Sequence, residues 1–342
     1  MRKNFKRYSL LQAEHELVKL GLERYRAEQI FKWIWQKNAD DFSVMTNISK
    51  ELRDRFNGLY SLAGVRIADL QREDADAEKY LLELEDGLRV ESVFMQEGTR
   101  RTICVSCQVG CPLACKFCAT GLLHFERDLH AYEIADQVRS IQQNRGDRCT
   151  NVVFMGMGEP LLNLDAVIGA HEIISSPIGL GISRRHTTIS TAGIVEGIEA
   201  LLRSSVRVKL AISLNFVDEE IRKDLMPVAR KNPLKDIIKL ARVYSRQKEM
   251  VTFEYVLIRD INDGIRDARD LVRLLRNIPS KINLIPYNEH PDLPYKRPKD
   301  EKIEAFFSHL LHSHHTVVIR KSRGQKILAG CGQLSGSQVA RG

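Results

Sequence analysis

The sequence predicts an α/β protein. A partial (β/α) barrel core spans residues 101–342, a small helical domain spans 1–60 and a β-hairpin connector spans 61–100. Three observations carry this reading. After residue 101, apolar runs of strand length alternate with amphipathic helical stretches, the pattern of a parallel sheet with helices outside it. The first 60 residues carry a helical periodicity instead. Between the two regions, a turn dipeptide separates two β-rich runs.

Taken in order, Ala27, Ile30, Phe31 and Ile34 fall at i, i+3, i+4 and i+7, an apolar helical stripe. Asn47 or Ser49 offers an N-cap for the helix that follows. This region is too small to hold a catalytic core and reads as an accessory domain. In "KYLLELEDGLRVESVFM" the Asp86-Gly87 pair sits between two β-rich runs, a hairpin signal. The core then supplies "TICVS", "NVVFMGM", "TTIST", "VKLAIS", "VTFEYVLI", "INLIP" and "TVVIR" as strands. "AYEIADQVRSIQQN" and "GIVEGIEALLRS" are among the helices between them. Six or seven such units suit a partial or a full barrel, and periodicity does not separate the two. Barrel chemistry sits at the C-terminal ends of the strands. The unusual residues fall there: a cysteine-rich loop after "TICVS", "GMGEP" after "NVVF", Ser190, Ser213 and Asn288.

With 342 residues and 43% hydrophobic content, the chain can bury one large core and a small satellite. It has no run of about eighteen apolar residues, and its N-terminus lacks an uninterrupted apolar signal segment. The expectation is a cytoplasmic protein with no membrane association. In a reducing compartment, an odd count of seven cysteines argues against a disulfide framework and for metal or redox chemistry. A net charge of +8 favours a polyanionic partner.

Five of the seven cysteines fall between Cys104 and Cys118. Cys111, Cys115 and Cys118 form C-x3-C-x2-C. Three thiolates can hold three irons of a 4Fe–4S cube and leave the fourth open to another ligand, an arrangement suited to catalysis. The alternative is a zinc site completed by Cys104 or Cys107, although no second C-x2-C knuckle is present to pair with it.

This loop, with Phe117 between its second and third cysteines, resembles that of the radical S-adenosylmethionine (radical SAM) superfamily. The resemblance implies that the open iron binds SAM and that an electron from the cluster cleaves it to a 5′-deoxyadenosyl radical. It implies SAM contacts at Gly158 and Glu159 in "GMGEP", at Ser190, at Ser213, Leu214 and Asn215, and at Asn288 in "PYN". The order of "CVSCQVGCPLACKFCATG", "FMGMGEPLLN", "DLMPVAR", "NLIPYN", "PYKRP" and "AGCGQL" is similar to that of the RlmN/Cfr family of RNA adenine methyltransferases, over nearly the whole chain. The RlmN side of that family implies methylation of C2 of an adenosine in 23S rRNA and in tRNA. Pro160 and "PLLN" favour that side, since Cfr-like proteins, which methylate C8, usually carry alanine after Gly-Glu. Two positions depart from the family pattern: Cys107 replaces the usual serine, and Asn215 stands where histidine often follows Ser-Leu.

Adenine C2 lies between two nitrogens and is too electron-poor to attack a methyl group. A thiolate can make that attack. The resemblance makes Cys331 the methyl carrier, Cys104 the second thiol that frees the product as a disulfide forms, and Glu91 a proton acceptor. Without that role, Glu91 is an ordinary polar residue on a half-exposed strand. If "TICVS" is extended, Cys104 shares a face with Thr102 and Ser106, and Cys107 lies on the apolar face with Ile103 and Val105. That places Cys104 inside the barrel and Cys107 outside. Cys149 reads as a free thiol. Gly324, Gly330 and Gly332 bracket Cys331 in a loop. For RNA, Lys32, Trp33, Trp35 and Lys37 offer stacking and charge or simply pack the helical domain, and Arg320–Lys326 offers phosphate contacts. "SRRH" (Ser183–His186) reads as solvated charge. The implied partners are 23S rRNA, tRNA, an electron donor such as flavodoxin and a disulfide reductant, acting on a monomer. A non-catalytic Fe–S or zinc RNA-binding protein is the alternative from another class.

Overall fold

The computed structural model describes residues 2–73, 76–320 and 323–335. One ten-stranded sheet organises it. Its strands are β1 (Arg66–Glu73), β2 (Ala77–Glu83), β3 (Arg89–Glu97), β4 (Arg100–Cys104), β5 (Asn151–Phe154), β6 (Thr187–Thr191), β7 (Lys209–Ser213), β8 (Val251–Leu257), β9 (Ser280–Pro286) and β10 (Thr316–Ile319), hydrogen-bonded in chain order. Pairing is antiparallel from β1 to β4 and parallel from β4 to β10. All seven strands expected in the core are present. Among the described residues nothing pairs β10 with β1, so the barrel is partial, settling the choice left open by periodicity.

The connector is larger than a hairpin. Asp86-Gly87 does turn β2 into β3, with Gly87 at φ +83°. A third strand, β1, continues the sheet from the other side of β2. Its sequence "RIADLQRE" alternates weakly because neither face is deeply buried.

Ten α-helices complete the described chain. The first three are α1 (Leu10–Lys19), α2 (Tyr25–Trp35) and α3 (Lys50–Leu59). Ser9 starts α1 with a reciprocal capping box to Gln12, and Ser49 rather than Asn47 caps α3. Asn47 instead accepts from the Trp33 indole at 2.5 Å. The predicted stripe of α2 is buried, around an aromatic cluster in which Phe5 meets Phe42 and Tyr60 edge to face at 5.9 and 5.2 Å. The barrel helices are α4 (Ala131–Arg145), α5 (Leu164–Ser175), α6 (Val195–Arg203), α7 (Glu219–Leu225), α8 (Leu234–Gln247), α9 (Ile265–Leu275) and α10 (Asp300–Leu311).

Strand alternation sorts the barrel residues. Ile103, Ile189, Leu210, Ile212, Phe253, Tyr255, Ile282 and Leu284 are fully buried. Their alternates Cys104, Ser190, Ser213, Glu254, Asn283 and Ile285 occupy the opposite face. α4 carries Asp136 and Arg139 into a buried ion-pair network with Lys6, which ties the helical domain to the barrel. No described helix is long and apolar enough to cross a membrane.

Candidate active site

The loop after β4 is held by its own backbone and by its neighbours. Cys118 N–H donates to the Cys115 carbonyl at 3.2 Å, Gly121 N–H to the Cys118 carbonyl at 2.9 Å, and Lys116 N–H to the Leu225 carbonyl at 2.9 Å. A Cβ at Gly121 would lie 2.5 Å from the Cys115 carbonyl oxygen, so only glycine fits this close approach. Phe117 packs edge to face on Phe216 at 5.6 Å. Burial pushes the Cys111 thiol up to about 12 and raises those of Cys115 and Cys118. Backbone amides of Leu113 and Gly158 point at Cys111, and those of Gly121 and Thr120 at Cys118. Among the described residues, no three His, Cys, Asp or Glu side chains form a group gathered for one metal ion. The donor chemistry nevertheless fits an iron–sulfur cluster: soft thiols on one loop, with N–H groups aimed at two of the three sulfurs.

The tips of the next strands ring this loop. Gly158 has φ +100°, and a Cβ on it would meet Gln108 at 2.6 Å. Glu159 is buried and its carboxyl is pushed up to about 7 by burial. It accepts from Ala192 N–H at 2.7 Å and Leu161 N–H at 3.0 Å, joining the tips after β5 and β6. Ser190 and Ser213 are half-buried near the ends of β6 and β7. Leu214 is fully buried, and its N–H donates to the Glu254 carbonyl at 3.0 Å. Asn215 has φ +58°; its Oδ1 accepts from Val256 N–H at 3.2 Å and its Nδ2 faces Met226 sulfur at 3.6 Å. The Asn215 side chain therefore braces its own turn. Asn288 donates to the Cys331 carbonyl at 3.1 Å.

Cys331 sits on a loop clamped over the cysteine loop. Ala119 N–H donates to the Gly332 carbonyl at 2.7 Å, and Thr120 Oγ1 to the Leu334 carbonyl at 2.6 Å. Gln333 accepts from Gly330 N–H at 2.9 Å and donates to the Glu289 carbonyl at 2.7 Å. A cavity of about 110 Å³ lies beneath, lined among others by Cys104, Cys118, Met155, Asn288, Arg320 and Cys331. Burial first, then the neighbouring Cys331, pushes the Cys104 thiol up to about 12, while Arg320 opposes both. Cys107 is buried away from that cavity, with its sulfur 3.6 Å from the Met157 carbonyl. It is within electrostatic reach of Glu159, Cys111 and Asp128. Cys149 is buried and also raised to about 12 by burial.

Glu91 on β3 is buried, not half-exposed. It pairs with the buried Lys79 at 3.3 Å and accepts from Ser335 N–H at 3.0 Å. Trp35 is buried, and the Lys37 ammonium covers one face of the partly buried Trp33 at 3.9 Å. Within the basic segment, Arg323 pairs with Asp76 at 3.0 Å and Glu97 at 3.5 Å, and Arg320 turns into the cavity. Lys321 lies outside the described residues. Arg184 and Arg185 are exposed just before β6, at the strand end away from the site.

Sequence reasoning missed three contributors. Arg222 is fully buried and donates to the carbonyls of Ala192, Leu214 and Asn232, holding two strand tips together. Gln333 and Thr120 clamp the Cys331 loop. Each is an ordinary residue type with no local spacing signal, and only tertiary packing reveals its role.

A family model for the radical SAM superfamily matches residues 105–275, and one for the ribosomal RNA large subunit methyltransferase N-terminal domain matches residues 4–62. Among curated proteins, the dual-specificity RNA methyltransferase RlmN of Geotalea uraniireducens is 43% identical over 97% of this chain and 96% of its own length. The protein of the same name from Geobacter sulfurreducens is 45% identical over 97% and 92%. Among solved structures, a radical SAM methyltransferase from Sphaerobacter thermophilus superposes with a TM-score of 0.92 at 37% identity, covering 98% of this chain and 99% of that one.

Proposed function

This chain belongs to the RlmN family of radical SAM methyltransferases, and on that premise we propose that it methylates C2 of adenosine in 23S rRNA and in tRNA. Cys111, Cys115 and Cys118 would hold a 4Fe–4S cluster, and Gly158, Glu159, Ser190, Ser213, Leu214, the Asn215 backbone and Asn288 would border SAM. When bound, the two together supply an electrophilic methyl group and, by one-electron cleavage, a carbon radical able to abstract hydrogen. Cys331 accepts the methyl group as a thiolate and carries it to adenine C2. Cys104 then attacks the Cys331 sulfur and frees the product. Glu91, held by Lys79, takes a proton as the product forms. The helical domain and connector serve as accessory elements toward RNA, with the target nucleotide leaving its stack to reach the cavity. The protein works as a cytoplasmic monomer, served by a donor such as flavodoxin and by a dithiol reductant.

The observation that carries this reading is the shared cavity of Cys104 and Cys331, which a non-catalytic RNA-binding protein has no use for. The test combines two variants and one product analysis. Cys331→Ala should transfer no methyl group to RNA and form no adduct. Cys104→Ala should be purified with RNA covalently attached at Cys331. Mass spectrometry of rRNA and tRNA made with and without the protein should show 2-methyladenosine. Appearance of the C8 isomer, or of no methyladenosine, would refute the assignment.

A further inference from the structure

Arg320 follows β10, and its N–H donates to the Leu284 carbonyl at 2.8 Å, extending the strand register. Its guanidinium lines the cavity with Cys104 and Cys331. The side-chain contact it makes is with Met155 sulfur, 3.8 Å away and weak. Among the described residues no carboxylate forms an ion pair with it, in contrast to Arg323 three residues on. Two carboxylates are within electrostatic reach, Glu254 and Glu97. Glu254 is buried on β8, bonded to Asn283 at 2.9 Å through one oxygen, and burial favours its neutral form. Glu97 is mostly exposed and pairs with Arg323. The remaining groups that reach Arg320 are the two thiols, Cys331 more strongly than Cys104.

Arg320 and Arg323 both line this cavity, together with the thiols of Cys104, Cys118 and Cys331. Arg323 is paired with Asp76 and Glu97, so Arg320 is the cation left to face Cys104 and Cys331, where like charges on both sulfurs would repel. A cation so placed supports one thiolate of the pair at a time. We propose that Arg320 is a positioning residue whose charge passes from Cys331 to Cys104 when Cys331 becomes S-alkylated, so that Cys104 is armed only after the carrier is loaded. Alkylation makes Cys331 a neutral thioether. A thioether cannot carry the negative charge that would oppose ionisation of Cys104, and it leaves the guanidinium to the remaining thiol. The groups facing Cys104 are then Arg320 and the Met155 amide, both favouring thiolate.

This order rests on the function proposed above. In the release step a bond forms between the Cys104 and Cys331 sulfurs, and the bond from the Cys331 sulfur to the methylene on adenine C2 breaks. The electron pair stays on that carbon, which takes a proton to become methyl. The two cysteines are oxidised to a disulfide as the carbon is reduced, and a dithiol reductant restores them.

The test follows carbamidomethylation of Cys104 against pH, in the reconstituted holoprotein, by peptide mass spectrometry. Cys331→Ala, which cannot ionise at that position, should lower the Cys104 midpoint by about one unit or more, roughly ten-fold in rate at fixed pH. Adding Arg320→Met in that background should raise it again, and Arg320→Lys should restore part of the effect. Equal midpoints with Arg, Lys and Met at position 320 would overturn the proposal. With RNA present, Arg320→Met in the otherwise native chain should accumulate the covalent adduct expected of Cys104→Ala. An adduct in Cys104→Ala with none in a folded, iron-loaded Arg320→Met also overturns it. Absence of adduct from both variants would count against the methyl-carrier function itself, and the alkylation profile still decides the role of Arg320.

Discussion

Replacing Asp136 tests how the helical domain is held to the barrel. Asp136 on α4 has no exposed side-chain surface and meets the equally buried Lys6 at 3.2 Å and Val65 N–H at 2.7 Å. Arg139 bonds its other oxygen and also reaches Asp40 at 2.9 Å. Asp136→Ala therefore leaves the buried Lys6 and Arg139 to share Asp40 alone, at 3.8 and 2.9 Å. Removing one member of a buried pair costs about 3–5 kcal/mol. At about 2.1 cal/mol/K per residue, unfolding this chain carries about 0.7 kcal/mol/K of entropy, so Tm should fall by roughly 4–7 °C. The pH dependence has a sign. Burial alone would push the Asp136 carboxyl up, but Lys6, Arg139 and the Val65 amide together hold it below the ordinary aspartate value. Its contribution is present above the unfolded pKa and is lost as pH falls through the folded one. The gap between native and variant proteins should thus be full near neutrality and shrink below about pH 4. Calorimetry measures the gap, and hydrogen exchange should show α1–α3 opening faster than the barrel strands. A Tm change under about 1 °C at neutral pH, or a gap that widens on acidification, would refute the reasoning.

Three further outcomes follow from the site. Gly158→Ala places a Cβ 2.6 Å from Gln108 on a backbone with φ +100°. The backbone strain alone costs about 1–2 kcal/mol, so SAM should bind about ten-fold more weakly by titration calorimetry, and an unchanged Kd would remove this strand tip from the cofactor site. Burial raises the Glu159 carboxyl from the ordinary 4.5 to about 7, so the fold favours its protonated form. Cofactor-free protein should lose stability as pH rises from 4.5 to about 7, by on the order of 3 kcal/mol at most, and Glu159→Gln should flatten that slope. Gln333→Ala removes the two side-chain bonds it makes to Gly330 N–H and the Glu289 carbonyl, so iodoacetamide should label Cys331 several-fold faster with iron content unchanged. Equal labelling rates would mean that the loop is held elsewhere.

The barrel strands were legible because each buries one face under a helix and reads as an apolar run. β1 was not, because its half-buried residues alternate too weakly to mark a strand. The cysteine loop was legible from spacing, since ligands of one cluster must lie on one short stretch. Glu91 could be named but not placed: the burial that pairs it with Lys79 comes from β2, a neighbour that local sequence does not reveal. Cys104 lines the cavity and Cys107 does not, as alternation suggested, although β4 itself ends at Cys104. Arg320 was read as a phosphate contact because it begins a basic run, yet it lines the cavity, and Arg323 pairs with Asp76 and Glu97.

The meeting of Cys104 with Cys331 is a demand on the whole sheet. Cys104 ends β4, the first parallel strand, and Cys331 follows β10, the seventh. Six strand spacings of about 4.8 Å would put those strands roughly 29 Å apart if the sheet were flat. Both residues nevertheless line one cavity of about 110 Å³. Arg320, which directly follows β10, lines that cavity too, so the sheet curls to bring β10 near β4, and among the described residues no strand ladder joins β10 to β1. Polar contacts hold the ends instead: Arg323 on Asp76 and Glu97, and Lys326 N–H on Glu73 at 2.9 Å. A closed barrel would have filled that gap with backbone pairing. An open one leaves the segment after β10 free to fold inward, and that freedom lets a cysteine so late in the chain reach the thiol of the first parallel strand.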